Sequence, residues 1–381
     1  MVTEINSWRV LAAVCLAIWC YLALLRGGFW RLKESIASRQ PAKPGIRVAA
    51  VIPARDEEDT IERVVSSLRK QRFSGELTIT VADDESTDST ATRALNAGST
   101  RIVKAPPRPS GWKGKLWAVK SGIAALPDSP DFLLLTDADI QYVGADALES
   151  LIAKAEEGFD LVSVMVRLHA ESIAEKMLIP AFVFFFFQLY PPSWVNSTGP
   201  TAAAAGGVML IRPETLRRAG GIEAIHDALI DDCALARSIK KAGGRVWLGI
   251  SSPEIRSVRG YGGIGGIRAM IARSAFAQLR HSFWLLVATL CGLALAYVVP
   301  VLLLFSKDWL AAPAGAAVLI VTARVFYPTV RMYRASTWIA FCLPLIAVFY
   351  AAATMESAAR YWLGSGGMWK GRVQDTRNKT S

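Results

Sequence analysis

Carboxylates recur at the ends of short apolar runs, and that placement is the first sign of chemistry in this chain. Leu133-Leu134-Leu135-Thr136 runs into Asp137-Ala138-Asp139. An apolar strand ending in two carboxylates one residue apart presents both at its tip. Such a pair suits a hard divalent cation, Mg²⁺ or Mn²⁺, held against phosphate oxygens, where it neutralises charge on a departing diphosphate. Alone, Asp-x-Asp is a weak signal, because a loop with two solvated aspartates or a helix cap reads the same way. Two further acidic ends strengthen it: Asp56-Glu57-Glu58 and Asp83-Asp84, each after an apolar run.

A fourth acidic pair, Asp231-Asp232, follows Ala228-Leu229-Ile230 and opens a helix expected over 233–242. Carboxylates at a helix start are often caps favoured by the macrodipole. The catalytic alternative is a general base that takes a proton from an acceptor hydroxyl. Upstream, Ala205-Gly206-Gly207 lets backbone approach a bound group closely. Lys113 and Lys115 stand between glycines and tryptophans in Gly111-Trp112-Lys113-Gly114-Lys115-Leu116-Trp117; they read either as exposed lysines or as phosphate ligands. His169, His226 and His281 are scattered and fit no catalytic or metal spacing, so they read as structural or surface residues.

The elements that must position these groups alternate. Strands are expected over 47–53, 77–82, 101–104 and 131–136, with helices over 58–70, 89–98 and 117–125 between them. Alternation of this kind predicts an α/β domain with a mostly parallel sheet and helices on both faces. Ligands of such sheets sit beyond the carboxyl ends of the strands, where the first three acidic clusters fall.

The remainder is apolar. Hydrophobic residues make up 52% of 381, and the mean hydropathy is +0.31. The excess is concentrated in Trp8–Leu25, Phe283–Phe305 and Thr337–Met355, runs of 18, 23 and 19 residues. Each is long enough to cross about 30 Å of hydrocarbon as a helix. Trp309–Ala323 is apolar over only 15 residues and is expected to span poorly or merely dip. The segment 177–194, with Phe184-Phe185-Phe186-Phe187 after Pro180, reads as too short and proline-broken to span; a core helix or, by preference, an interfacial helix is expected. No small-residue cleavage site follows the first run, so it reads as a retained anchor over 1–27.

Arg26, Arg31, Lys33, Arg39, Lys43 and Arg47 follow that anchor in a basic linker, 28–44. By the positive-inside rule they place a domain over 45–282 at the cytoplasmic face of the inner membrane. Membrane helices over 283–363 and a basic tail, 364–381, complete the expected order. If all three later segments span, the tail carrying Lys370, Arg372, Arg377 and Lys379 lies outside, against the rule; a re-entrant or interfacial segment returns it. The net charge of +11 clusters beside these segments, which fits anionic lipid; no basic, aromatic-interleaved motif for nucleic acid is present. Five cysteines without paired spacing imply neither a disulfide framework nor a zinc site.

Taken in order, Val51-Ile52-Pro53-Ala54-Arg55-Asp56-Glu57-Glu58, Val81-Ala82-Asp83-Asp84-Glu85, Thr136-Asp137-Ala138-Asp139, the Gly206-Gly207 stretch and Asp231-Asp232-Cys233-Ala234 resemble the successive signatures of family 2 glycosyltransferases. With Gly111–Ala118, Pro180–Phe184 and the C-terminal apolar runs, the chain most resembles the hopanoid (hopene)-associated membrane group, and more distantly the ceramide glucosyltransferases. The resemblance implies a GT-A fold, inversion at the anomeric carbon and a Mg²⁺ or Mn²⁺ ion. It implies that Pro53, Ala54, Arg55 and Glu57 line the nucleoside pocket and that Asp83 or Asp84 contacts base or ribose. Asp137 would face ribose and diphosphate, Asp139 would ligate the ion, and Asp232 would be the base. The family more often has Glu-Asp at that last pair, so the role of Asp231 is open.

Relatives that act on lipids or polymerise carry Gln-x-x-Arg-Trp before the next membrane helix. Here the stretch is Gln278-Leu279-Arg280-His281-Ser282-Phe283-Trp284, with altered spacing. Arg280 or Arg273 then clamps the diphosphate or belongs to a basic collar at the membrane surface. The altered motif also favours a single addition over polymerisation. The expected activity is transfer of one sugar from a UDP-sugar to a membrane lipid hydroxyl, set against three rivals: a polyprenyl-phosphate sugar synthase, whose anionic acceptor needs no base; a nucleotidyltransferase, which would release pyrophosphate; and a non-catalytic membrane scaffold that binds nucleotide-sugar, which any turnover excludes.

Overall fold

The computed structural model describes residues 2–36, 43, 45–127, 129–251, 254–369 and 372–375; Arg39, Lys370, Arg377 and Lys379 lie outside them. The chain divides into two compact units. One comprises Lys33–His169 and Pro192–Gly260, the other Met1–Leu32, Ala170–Pro191 and Tyr261–Ser381. This differs from one continuous domain over 45–282: residues 170–191 and 261–282 group with the apolar helices.

In the first unit the strands are β1 (Arg47–Ala54), β2 (Glu76–Asp83), β3 (Arg101–Lys104), β4 (Phe132–Thr136), β5 (Ile140–Tyr142), β6 (Leu161–Met165), β7 (Val208–Ile211), β8 (Val246–Ile250) and β9 (Ile255–Ser257). Seven of them form one sheet in the order β3-β2-β1-β4-β7-β6-β8. Pairing is parallel from β3 to β4, and β7 runs antiparallel to both β4 and β6. The central strands are buried on both faces, which is why β1 and β4 read as unbroken apolar runs rather than alternating ones. The helix Ile61–Arg69 buries Ile61, Val64, Val65 and Leu68, the i, i+3, i+4, i+7 stripe of a sheet-covering helix.

Two register choices determine where the acidic groups lie. Parallel pairing of Ala54 with Asp83 and of Val51 with Leu135 brings the carboxyl ends of β1, β2 and β4 to one edge. Antiparallel pairing of Thr136 with Val208 then brings the residues before β7, Gly206 and Gly207, to that same edge. A small separate ladder pairs Ile140 of β5 with Ser257 of β9. The outer edge of β8 is also covered. Ile250 N–H donates to Glu34 O at 2.8 Å and Ile36 N–H to Ile250 O at 3.2 Å, while the Asn196 amide meets both Leu248 N–H and C=O. The start of the basic linker is thus stitched to the sheet, and an unpaired edge is avoided.

The second unit holds apolar helices. Among the described residues of the chain, five helices are long and apolar enough to cross a membrane: Ser7–Leu25, Ile173–Val195, Phe283–Leu303, Ala311–Met332 and Thr337–Trp362. Two expectations change. The phenylalanine-rich segment belongs to a 23-residue stretch that begins at a Ser172/Glu175 capping box and continues through Pro180. Its rings pack among other apolar helices: Phe184 lies 5.3 Å from Phe29 and 5.2 Å from Phe326, and Phe185 lies 4.9 Å from Tyr350. It is therefore neither too short to span nor broken at its proline, which apolar neighbours tolerate. Likewise the run starting at Trp309 becomes a 22-residue helix, because Arg324 and Pro328 do not end it.

Helix Gly114–Ala124, which carries Lys115, lies directly on β1 and β2 at Gly122. A Cβ there would stand 2.6 Å from Val51 Cγ1 and 3.1 Å from Ala82 Cβ. Gly122→Val is expected to lift this helix and destabilise the fold by about 2 kcal/mol, within the overpacking range. Thermal unfolding of the purified variant checks this; an unchanged transition would contradict it.

Candidate active site

At the common edge one lysine joins two elements that are far apart in sequence. Lys115 Nζ stands 2.9 Å from Asp137 Oδ1 and 3.1 Å from Asp231 Oδ2. Asp137 follows β4, and Asp231 and Asp232 open the helix Asp231–Lys241, two residues earlier than expected. The residue at the cap position is Ile230, and no side chain caps this helix start. Asp231 is thus engaged by Lys115 rather than serving as a cap. The alternative that Lys115 is merely an exposed lysine is excluded: its side chain is 24% exposed and committed to two carboxylates.

Asp232 is held by backbone. Gly206 N–H donates to its Oδ2 at 2.8 Å and Cys233 N–H to its Oδ1 at 2.7 Å. A Cβ on Gly206 would lie 3.2 Å from Asp232 Oδ2 and 3.5 Å from Lys115 Nζ, so the bare backbone is what permits the approach. Gly207 O accepts from Thr136 Oγ at 2.9 Å and from Asp137 N–H at 3.3 Å, which fixes the Asp137 turn against the Gly-Gly segment. Beneath the lysine lies a cavity of about 10 Å³ lined by Pro53, Lys115, Thr136, Asp137, Gly206 and Asp231 among others, no more than about one water in size.

The electrostatics follow from this packing. Burial alone would lower the Lys115 pKa, but Asp137 and then Asp231 more than reverse it, so the ammonium is held above its ordinary value. Burial pushes Asp137 up, Lys115 opposes, and the neighbouring Asp139 charge adds to the rise. Burial, then the Asp231 charge, pushes Asp232 up to about 6, against Lys115 and the two N–H donors. A carboxylate near 6 is ionised at neutral pH yet basic enough to accept a proton, which is what a general base needs.

A second group surrounds Asp139. Ser257 Oγ donates to Asp139 Oδ2 at 2.9 Å, Arg259 Nε meets the same oxygen at 3.2 Å, and the other arm of Arg259 pairs with Glu57 Oε2. Val258 N–H donates to Asp139 O at 2.9 Å, extending the β5–β9 ladder past its last pair. Glu57 is buried and also accepts from Thr60 Oγ. Arg259 and Ser257 were not legible in the sequence: the pairing that delivers them to Asp139 closes about 118 residues of chain. The only local signal is a short Ile255–Ser257 run ending before an arginine.

A third group sits at the tips of β1 and β2. Arg55 Nη1 donates to Asp84 O at 2.9 Å and pairs with Asp84 Oδ2 at 3.4 Å, and Asp84 N–H returns to Ala54 O at 2.8 Å. Asp83 Oδ1 accepts from Ser86 N–H at 3.3 Å. Asp56 and Glu85, next to Arg55 and Asp84, both adopt positive φ, 49° and 58°; strained non-glycine residues of this kind persist where surrounding bonds over-determine them. Pro53 pairs opposite Ala82 within the sheet.

The structure thus brings together Lys115, Asp137, Gly206, Gly207, Asp231 and Asp232, with Asp139 and Glu57 joined through Arg259, and Arg55 with Asp84. Gln278 and Arg280 belong to the other unit: the Gln278 amide meets the Tyr190 hydroxyl, and Arg280, at φ 52°, lies in the turn after helix Ile264–Gln278. His226 Nδ1 lies 2.9 Å from Glu223 O, and the His281 ring stacks on Tyr361 at 4.0 Å.

A divalent ion fits this site in one sense only. Among the described residues no group of three or more His, Cys, Asp or Glu side chains could hold a metal ion. Asp137 and Asp139 supply hard oxygens suited to Mg²⁺ or Mn²⁺ bound through one or two carboxylates plus substrate phosphates, not to a cage made of protein alone.

Residues 49–217 match the family described as Glycosyl transferase family 2. The chain is similar to 4,4'-diaponeurosporenoate glycosyltransferase of Staphylococcus aureus, 31% identical over 102 residues, 27% of this chain. It spans only 26% of that relative's length. Among solved structures it is similar to a mannosyltransferase from Pyrobaculum calidifontis in complex with GDP-Man and Mn²⁺, with a TM-score of 0.53, 18% identity, and coverage of 92% of this chain and 98% of that one. The sheet is therefore GT-A-like.

Lys115→Met leaves the site's carboxylates without their shared cation. Above the raised pKa values of Asp137 and Asp232 they are ionised and repel; as pH falls through those values they take up protons and the penalty fades. The variant is expected to lose about 2 kcal/mol at pH 8, below the 3–5 kcal/mol of a fully buried pair because the lysine is partly exposed, and less at pH 5. Unfolding at both pH values checks this; equal losses would contradict it.

Proposed function

We propose that the chain, in which residues 49–217 form a family 2 glycosyl transferase domain, transfers one sugar with inversion from a nucleotide-diphospho-sugar to a hydroxyl of a membrane lipid. The observation that carries this reading is the convergence, on one sheet edge of a matched glycosyltransferase domain, of a buried basic carboxylate, Asp232, with the Asp137/Asp139 pair. Asp232 takes the proton of the acceptor hydroxyl as its oxygen attacks the anomeric carbon. The bond from that carbon to the diphosphate breaks, and a nucleoside diphosphate leaves. One displacement of this kind inverts the centre and needs no covalent nucleophile.

Asp137 and Asp139 would hold the Mg²⁺ or Mn²⁺ ion, which supplies charge neutralisation for the departing diphosphate when bound. Lys115 sits between that pair and the base, so its ammonium both fixes Asp231 and Asp137 and faces the developing phosphate charge. Asp231 then acts by holding Lys115 and by raising Asp232. Arg55, Asp83 and Asp84, with Pro53, Ala54 and Glu57, would take the nucleoside. The Gly206-Gly207 backbone leaves room for the sugar. Gln278 and Arg280 remain proposals for the diphosphate side, with less support than the basic groups already in the site.

UDP is the expected nucleotide, and the GDP-Man of the Pyrobaculum mannosyltransferase makes GDP the comparison to include. The five apolar helices and the name of the S. aureus relative support a lipid-like acceptor at a bilayer. A hopanoid polyol is the acceptor that the sequence motifs favour. The basic residues after Leu25 support a catalytic unit on the cytoplasmic face of the inner membrane.

Three outcomes test the roles. Asp232→Asn is expected to lower turnover by about 10²–10⁴-fold, the range for a general base, while nucleotide binding persists. In the wild type kcat/KM should fall about tenfold per pH unit below pH 6, since the base is lost on protonation. Near-normal turnover in this variant would favour an acceptor that is already an anion. Asp139→Ala should abolish the response of activity to Mn²⁺ and to chelator; an unchanged response would remove Asp139 from the ion site.

A further inference from the structure

Arg259 bridges two carboxylates that come from different strand ends. Its Nε lies 3.2 Å from Asp139 Oδ2 and its Nη2 pairs with Glu57 Oε2. Those carboxylates are largely shielded, with side chains 15% and 9% exposed, whereas the Arg259 side chain is 41% exposed. Its backbone is anchored, with Arg259 N–H donating to Ser257 Oγ at 3.3 Å. Arg259 is thus the most exposed member of the bridge. Its charge is doubly compensated: burial would lower the guanidinium pKa, and Asp139 and Glu57 raise it.

A cation that ligates Asp139 would come close to where Arg259 already stands. An ion taken up on Asp139 Oδ2, the oxygen that Arg259 Nε already meets at 3.2 Å, would crowd and repel the guanidinium. A diphosphate offers the planar guanidinium a better partner, since it presents oxygens in the geometry of a bidentate fork. We infer that Arg259 is a diphosphate-binding residue that makes ion uptake conditional on the nucleotide: it neutralises Asp139 and Glu57 in the unliganded site and transfers to the diphosphate as the ion takes its place at Asp139. No bond is made or broken in this exchange; one positive charge moves from a carboxylate to a phosphate. The inference rests on Asp139 as the ion ligand, as proposed above.

Coupling of this kind is reciprocal, so it can be read from binding without turnover. Mn²⁺ binding to the purified full chain is measured by electron paramagnetic resonance, alone and with saturating UDP or GDP, and nucleotide binding is measured by calorimetry. In the wild type either effective nucleotide should raise Mn²⁺ affinity by roughly tenfold or more, within the usual range for coupled sites. Arg259→Gln should bind Mn²⁺ several-fold more tightly without nucleotide, bind nucleotide more weakly, and lose most of the coupling. Wild-type coupling that survives intact in Arg259→Gln, with unchanged Mn²⁺ affinity, overturns the role of Arg259 alone. Absence of Mn²⁺ binding in the wild type with both nucleotides instead removes the ion-dependent donor site, and the inference with it. Arg259→Lys keeps a cation but not the fork, so it carries the test should the glutamine variant lose its fold. Undiminished coupling in the lysine variant contradicts the inference.

Discussion

The contact on which the site depends is the Lys115 ammonium between Asp137 and Asp231. Three carboxylates, Asp137, Asp231 and Asp232, are drawn into one partly dehydrated edge of the sheet, and burial opposes the ionisation of Asp137 and Asp232. A single cation lets them coexist as charges. It also sets how they differ. Asp137 and Asp231 receive the lysine directly, while Asp232 receives two backbone N–H groups and is left basic, at about 6. The sheet makes this possible by supplying three carboxyl ends and one reversed strand at the same edge, and the close seat at Gly122 sets the helix that carries the lysine against them.

Much of this was legible in the sequence, and for identifiable reasons. β1, β2 and β4 are buried on both faces, so their residues form continuous apolar runs, and the acidic residues after them announce the strand ends. The Gly206-Gly207 segment read as a close-approach element for a bound group; in the structure the Gly206 backbone approaches Asp232. What the sequence did not show depends on pairing between distant segments. Arg259 reaches Asp139 only because β9 lies antiparallel to β5, and nothing local to Ile255–Arg259 encodes that partner. The starting point of the Asp231 helix was missed by two residues because no cap residue marks it.

The apolar half shows the opposite failure. Composition identified the runs, but proline and arginine were given too much weight as terminators. Pro180 and Pro328 lie inside continuous helices. The phenylalanine rings of 184 and 185 each pack against aromatic rings from other apolar segments. A segment read as lying flat is instead bundled with its neighbours.

The chemistry proposed for this site is a single displacement at the anomeric carbon, with the donor diphosphate as leaving group and a lipid hydroxyl as nucleophile. Membranes containing the protein, supplied with UDP-glucose, UDP-N-acetylglucosamine or GDP-mannose labelled in the sugar, test that claim most directly through analysis of both products. Release of a nucleoside diphosphate in step with a lipid-extractable glycoside of anomeric configuration opposite to the donor is the expected result. Release of pyrophosphate, or a glycoside that retains the donor configuration, would contradict it.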